Sequence, residues 1–441
     1  MMASSQPAAR SAPEPSKASR RDSVSRPRVL VLGGGFAGLG AVKKLEKAQA
    51  DVVLVDRHDY HTFQPLLYQL ATGLLETSAV GHSLRDLVHG QANVTVHQAS
   101  VDGVDLAARV VHFEDMQPLT YDYLVLGLGA KVNYFDTEGA AEHAFPMYTL
   151  SDAVRLKEHV LERWEAADKD PRLVEDGALN VVVVGGGPTG VETAGALAEL
   201  YRAAFAKDYP ALHQDQARIT LVEAGSELFS MFKPNLQRYA RETLEKLSVE
   251  VRTNEAVTSV APTRVTLESG SVLNAHTLVW GAGLKGNDLV QSLGVGLERG
   301  DRIGVGPGLE LPDHPGVYVV GDIAAIVDPK TSGVLPQLGS VALQSGEHAG
   351  ETIARRLADR ETKPFKYRDK GTMATIGRGA AVVQMLGGRT KKGVSAQLAW
   401  GTVHLALLPT NEDRAKAVVD WVGATISHQR TGRIIVRAGG D

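Results

Sequence analysis

Asp56 and Glu223 each close a short run of β-branched and aliphatic residues, Val52 to Val55 and Ile219 to Val222, and each lies downstream of a glycine cluster. The clusters read Gly33-x-Gly35-x-x-Gly38, with Phe36 and Ala37 inside it, and Gly185-x-Gly187-x-x-Gly190. Glycine at those three places does three steric jobs: a tight turn, a close approach of backbone to pyrophosphate, and close packing of a helix on a strand. A carboxylate at the end of the following strand suits the hydroxyls of an adenosine ribose. The chemistry implied is dinucleotide binding, and the chain carries the pattern twice.

The elements that position these residues can be read locally. Val29 to Leu32 is an apolar run entering the first cluster, and Leu39 to Glu46 continues at helical spacing, so a buried strand turns into a helix whose N-terminal amides face phosphate. Val181 to Val184 enters the second cluster in the same way, and a helix runs on to about Leu200. Two more buried strands end in small residues, one over Tyr121 to Ala130 with Gly127-Leu128-Gly129 near its end, and its counterpart over His276 to Gly283, ending in Gly281-Ala282-Gly283. In a doubly wound sheet these ends face the ligand crevice, which makes Gly129 and Gly283 candidate contacts. A late strand, Gly316 to Val320, ends in Gly321-Asp322, where Asp322 is placed to hydrogen-bond the sugar-alcohol linker of a flavin. Glu223 is followed by Ala224-Gly225-Ser226, with no cation to meet a 2′-phosphate, so the second site is expected to take NADH over NADPH.

At 441 residues the chain has room for two or three domains. A net charge of -4 argues against nucleic acid as the main partner. There is no cysteine, which removes disulfides, thiolate metal sites and redox-active thiol pairs. Residues 1–26, rich in Ser, Pro, Ala and Arg, are expected to be a disordered tail. No run of eighteen apolar residues suggests a membrane span.

With two glycine fingerprints and the late Gly321-Asp322, the chain resembles the two-dinucleotide-domain flavoproteins, and more narrowly the type II NADH dehydrogenases. The stretches carrying the likeness are Tyr60 to Gln69, Glu142 to Pro146, Gly185 to Glu192, and Tyr367 to Gly371 with Ala374 to Gly377. The resemblance implies FAD in the first site and NADH in the second. It implies hydride transfer from nicotinamide to flavin, then two-electron reduction of a menaquinone-like quinone without proton pumping. It also points to Glu192 as a residue influencing hydride transfer and to Lys370 near flavin and quinone. The family's quinone signature Ala-Gln-x-Ala-x-Gln falls on Gly339 to Gln344, where Gln344 keeps the second glutamine and Ser340 replaces the first. A serine can still hydrogen-bond a quinone carbonyl, but it reaches less far.

The expected fold is α/β: two Rossmann-like doubly wound domains, the NADH domain inserted in the FAD domain, plus a carboxyl-terminal membrane-associating segment. The expected bounds are 27–146 and 284–362 for the FAD domain, 147–283 for the NADH domain and 363–441 for the last segment. Gly393 to Leu408 is nearly uncharged and too short to span a bilayer, and a second piece with Val418, Val419 and Trp421 follows. From Arg389 onward eight Lys or Arg face four Asp or Glu. Basic charge beside Trp and Leu is how a helix lies in an anionic headgroup region, so the expected place is peripheral, on the cytoplasmic side of the membrane. A homodimer stays open. Two other readings compete: a soluble flavoprotein reductase of a protein electron carrier, and a flavin-based redox sensor.

Overall fold

The computed structural model describes residues 26–408, 410–427 and 434–435. The tail expected to be disordered lies outside the described residues up to residue 25, as does most of the chain beyond Ser427.

Val29 to Leu32 are fully buried on both faces of their strand, which is why the sequence shows no polar alternation there. The strand Arg28–Leu32 lies between Asp51–Asp56 and Tyr123–Leu126, all parallel, with Val94–Gln98 and Val317–Val319 at the two edges. The second sheet repeats this design: Val181–Val184 lies between Ile219–Glu223 and Thr277–Trp280, with Val249–Thr253 and Phe145–Pro146 outside. Val317–Val319 follows the whole second sheet in the chain yet pairs with Tyr123–Leu126, so the second sheet is inserted into the first. The two crossing segments, Ala130–Val132 and Leu284–Gly286, pair antiparallel with each other. Phe145 and Pro146, next to the bound expected at residue 146, pair with Val279 and Trp280 of the second sheet.

The helix Phe36–Lys44 packs against Gly339–Leu357 through small residues. A Cβ on Gly346 would lie 1.8 Å from the Ala37 carbonyl oxygen, and one on Gly350 would lie 2.4 Å from that of Ala41. Only hydrogen fits at those two crossings, and the close approach brings the start of the Gly339 helix beside the first glycine turn.

The carboxyl-terminal part is a three-stranded antiparallel sheet, Thr372–Gly377, Ala380–Gln384 and Thr390–Lys392, followed by helices Val394–Leu407 and Asn411–Ser427. It does not stand alone. Helix Pro188–Leu200 presses on its edge strand so closely that a Cβ on Gly195 would sit 1.7 Å from the Ile376 oxygen. Trp400, Leu408 and Ala417 are buried in the same core as Val181 and Leu197. Among the described residues no helix is long and apolar enough to cross a membrane.

Candidate active site

The first glycine turn opens a cavity of about 330 Å³ lined by Gly33, Gly35, Phe36, Ala37, Asp56, Gly129 and Asp322 among others. Gly33 has φ of +102°, and a Cβ there would meet the Gly127 oxygen at 2.2 Å. A Cβ on Gly38 would lie 1.7 Å from the Gly33 oxygen, so Gly38 serves helix–strand packing and does not line the cavity. Gly35 differs from both, since a Cβ there would meet no protein atom within 4 Å. That open space beside a helix N-terminus is what a pyrophosphate requires, and the residues present fit FAD.

Asp56 is engaged by the protein's own backbone. Its Oδ2 accepts from the Gly34 amide at 2.6 Å and its Oδ1 from the His58 amide at 2.8 Å, so the carboxylate holds the turn's backbone in place. On the other side His61 Nδ1 lies 3.0 Å from the Gly34 oxygen, with the Phe36 ring edge-on to the imidazole at 4.9 Å. Burial pushes the His61 imidazole down to about 4, which keeps it neutral and able to serve as a fixed donor to that carbonyl.

Asp322 sits in the short turn Gly321–Ile323, opposite the glycine loop. Its Oδ2 accepts from the Tyr148 hydroxyl at 3.2 Å, and the same hydroxyl accepts from the Ala130 amide at 2.9 Å. Burial raises the Asp322 carboxyl above the usual carboxylate range, opposed by Tyr148 and by the Arg302 guanidinium. The Ser345 hydroxyl accepts from the Gly321 amide at 3.0 Å and pins the turn to the Gly339 helix. Gln64, within the Tyr60 to Gln69 stretch, lines the cavity as well, as do Tyr148 and Asn287, to which sequence reasoning assigned no role. Tyr148 meets Asp322 across 174 residues of chain, a separation at which no local pattern signals contact.

The second cradle copies the first. Gly185 has φ of +110°, a Cβ on Gly190 would lie 1.8 Å from the Gly185 oxygen, and one on Gly187 would meet nothing within 4 Å. Glu223 bonds the Gly186 amide through one oxygen and the Gly225 amide at 2.6 Å through the other, as Asp56 does in the first copy. Gly283, with φ of +68°, lies under the ring of Phe135, an exposed aromatic held by an Asn133 cap.

Glu192 is on the first turns of helix Pro188–Leu200 and bonds the carboxyl-terminal sheet: its Oε1 accepts from the Thr375 amide at 3.0 Å. Burial pushes its carboxyl up to about 8, with the amide and hydroxyl of Thr375 pulling the other way. Behind Thr375 stand Tyr68, whose hydroxyl is 2.8 Å from the Thr375 hydroxyl, then Gln69 and Trp421. These partners come from three separate elements, the strand Thr372–Gly377 and the helices Leu67–Ala71 and Asn411–Ser427, and were not foreseen.

Ser340 and Gln344 are on the Gly339–Leu357 helix, as expected, but neither lines the cavity, whereas Gly339 and Ala342 do. The Ser340 hydroxyl is 2.9 Å from that of Tyr367, and Gln344 is bonded at both ends of its amide to the backbone of Arg368. Together they tie the segment before the carboxyl-terminal sheet to the helix beside the first cradle. Lys370 is exposed at the end of that segment.

A family model for pyridine nucleotide-disulphide oxidoreductases matches residues 27–346. The chain is 35% identical over 421 residues to the type II NADH:quinone oxidoreductase Ndh of Mycobacterium tuberculosis, covering 92% of this chain and 89% of that protein. It is 31% identical over 372 residues to the type II NADH:quinone oxidoreductase of Staphylococcus aureus, covering 82% and 90%. Among solved structures, NDH2 from Plasmodium falciparum in complex with NADH superposes with a TM-score of 0.84 at 20% identity, over 93% of this chain and 100% of that one. The sulfide:quinone oxidoreductase of Aquifex aeolicus superposes with a TM-score of 0.71 at 18% identity, over 91% and 95%. At those identities the structural likeness speaks of fold alone.

Proposed function

Since the chain belongs to the pyridine nucleotide-disulphide oxidoreductases and, within them, to the type II NADH:quinone oxidoreductases, we propose that it works as a peripheral enzyme reducing a menaquinone-like quinone at the cytoplasmic face of a membrane. Its activity is FAD-dependent NADH:quinone oxidoreduction. The observation that carries this is the pair of matching cradles, each open at the one glycine where a pyrophosphate must approach. When bound, FAD supplies the two-electron chemistry, and the chain's own residues hold and orient the two dinucleotides. Gly35, Asp56, Tyr148 and Asp322 are assigned to FAD, and Gly187, Gly283 and Glu223 to NADH. Glu192 is assigned to the hydride-transfer region. Purified protein is expected to be yellow, to bleach with NADH under anaerobic conditions and to regain its colour on adding a menaquinone analogue. Protein that stays colourless after reconstitution with FAD, or stays oxidised with NADH, would end this reading.

Selectivity between nicotinamide cofactors follows from charge. Glu223 is held in place by two amides at the end of its strand, and a 2′-phosphate would bring two negative groups together at a cost of several kcal/mol. Steady-state kcat/KM with NADPH is therefore expected to fall about 100-fold or more below that with NADH. Equal use of the two would show that Glu223 does not face the ribose.

What supports membrane attachment is the outer face of the last two helices. Val394, Leu398 and Leu407 on one, and Val418 and Val419 on the other, are large apolar side chains left exposed. Deleting the chain from Gly393 is a poor test, because Trp400, Leu408 and Ala417 belong to the core. Replacing Leu398 and Val419 by Glu keeps the inner face intact and is expected to move the protein from the membrane to the soluble fraction. A doubly substituted protein that sediments with membranes as before would place the anchor elsewhere.

A further inference from the structure

Phe135 combines a strained backbone with a side chain that the fold leaves in solvent. It and Asp136 both lie in the left-handed region, with φ of +51° and +55°, which residues carrying a Cβ adopt only where their surroundings hold them. Here they do. The Asn133 side chain accepts from the Phe135 amide at 2.9 Å, the Asn133 amide donates to the Gly283 oxygen at 3.2 Å, and the Trp280 indole donates to the Asn133 oxygen at 3.0 Å. The Tyr134 ring packs on that indole, with centroids 5.4 Å apart. Yet the Phe135 ring so held is 61% exposed, so burial within the fold does not offset the strain. Its covered face lies on Gly283, where a Cβ would meet two of the ring carbons at 2.3 and 2.5 Å, and only glycine lets the ring settle there.

Topology fixes what this ring is beside. Val181–Val184, which leads into the second glycine turn, has Ile219–Glu223 on one side and Thr277–Trp280 on the other. A dinucleotide laid across that turn with its adenine ribose at Glu223 carries its nicotinamide half over the end of Thr277–Trp280, where Gly283 and Phe135 stand. The segment bearing Phe135 also starts at the first cradle: Gly129 lines the FAD cavity, the Ala130 amide bonds Tyr148, and five residues later the ring rests on Gly283. A nicotinamide that faces the flavin has to lie between those two points. We propose that Phe135 is a binding residue for the nicotinamide half of NADH, its exposed ring face taking up the nicotinamide riboside. The bonds around Asn133 hold the ring ready before the cofactor arrives, so little freedom is lost on binding. That role rests on the assignment of the second cradle to NADH under Proposed function, and adds to it a side chain outside both glycine clusters.

The test compares two ligands on the FAD-loaded protein. The Kd of NADH is read from the concentration dependence of anaerobic flavin reduction, and that of ADP, which has the adenosine and pyrophosphate but no nicotinamide riboside, from its competition with NADH. Phe135→Ala is expected to weaken NADH about 10-fold, the worth of one aromatic contact, and to leave ADP within about twofold of the parent. FAD content should stay that of the parent, because the ring is not part of the core. Phe135→Tyr keeps the ring and is expected to keep the parent's affinity for NADH. Phe135→Asn suits the left-handed backbone better, so it should be more stable than the parent and yet bind NADH as weakly as Phe135→Ala does. NADH unmoved in Phe135→Ala or Phe135→Asn, or ADP weakened as much as NADH, overturns the proposal. A parent protein that binds neither ligand removes the NADH assignment itself, and this role with it.

Discussion

Glu192→Gln is expected to slow reduction of the bound FAD by NADH about 100-fold in a single turnover, while absorbance and folding stay those of the parent protein. The side chain is two residues beyond Gly190 and is fixed by the Thr375 amide, so the substitution keeps shape and removes the ionisable group. Losses of this size accompany small misplacements of reacting groups. An unchanged rate would reduce Glu192 to a buried acid that ties helix Pro188–Leu200 to the carboxyl-terminal sheet. Stability has its own signature. The folded carboxyl is raised to about 8 from an ordinary 4.5, so the stability it contributes is fully present below the ordinary value and is lost as pH climbs through the folded one. The variant should therefore gain on the parent in chemical denaturation between pH 5 and 8, roughly the window those two values bracket. A constant difference across that window would mean that Glu192 is ionised throughout.

Gly38→Ala and Gly35→Ala are expected to fail in opposite ways. The methyl group at 38 would lie 1.7 Å from the Gly33 oxygen, between a helix and the strand beneath it. Such overpacking costs about 3 kcal/mol even after relaxation, and FAD-free protein should unfold at correspondingly lower denaturant. At 35 the backbone is extended, with φ of -75° and ψ of -169°, and the methyl group meets only cavity. That protein should fold as the parent does, within about 0.5 kcal/mol, yet bind FAD about 100-fold more weakly. Gly187→Ala should do to the NADH KM what Gly35→Ala does to FAD, since the same open space recurs there. If Gly35→Ala retained flavin fully while Gly38→Ala lost it without losing stability, the assignment of the two glycines would have to be exchanged.

The cradles were legible because their logic is local. A buried strand, a glycine turn, a helix and a closing acid are each written within about thirty residues, and the copy at Val181 to Glu223 removes most of the ambiguity of the first. What sequence could not supply was the second use of the acids: Asp56 and Glu223 hold the amides of Gly34 and Gly186, a contact that depends on how the turn folds back on the strand end. Tyr148 with Asp322, and Tyr68 with Thr375, meet across 174 and 307 residues, and only packing of distant elements brings them together. Family likeness pointed to Ser340 and Gln344 by position, but it could not say that both would be engaged by Tyr367 and Arg368. Trp400 and Trp421 looked like the outward half of an amphipathic piece, whereas Trp400 is 3% exposed and Trp421 bonds Gln69. In a helix nearly apolar all round, the pattern does not say which side is inside.

A nascent chain leaving the ribosome completes these units out of order. Val317–Val319, the edge strand beside Tyr123–Leu126, is made only after all of the inner sheet. Asp322 follows three residues later, so the earlier-translated half waits, one edge bare, while the later half finishes. Flavin capture is consequently a late event in biosynthesis. Ribosome-bound fragments ending before residue 317 should hold the inner unit folded but take up no pigment.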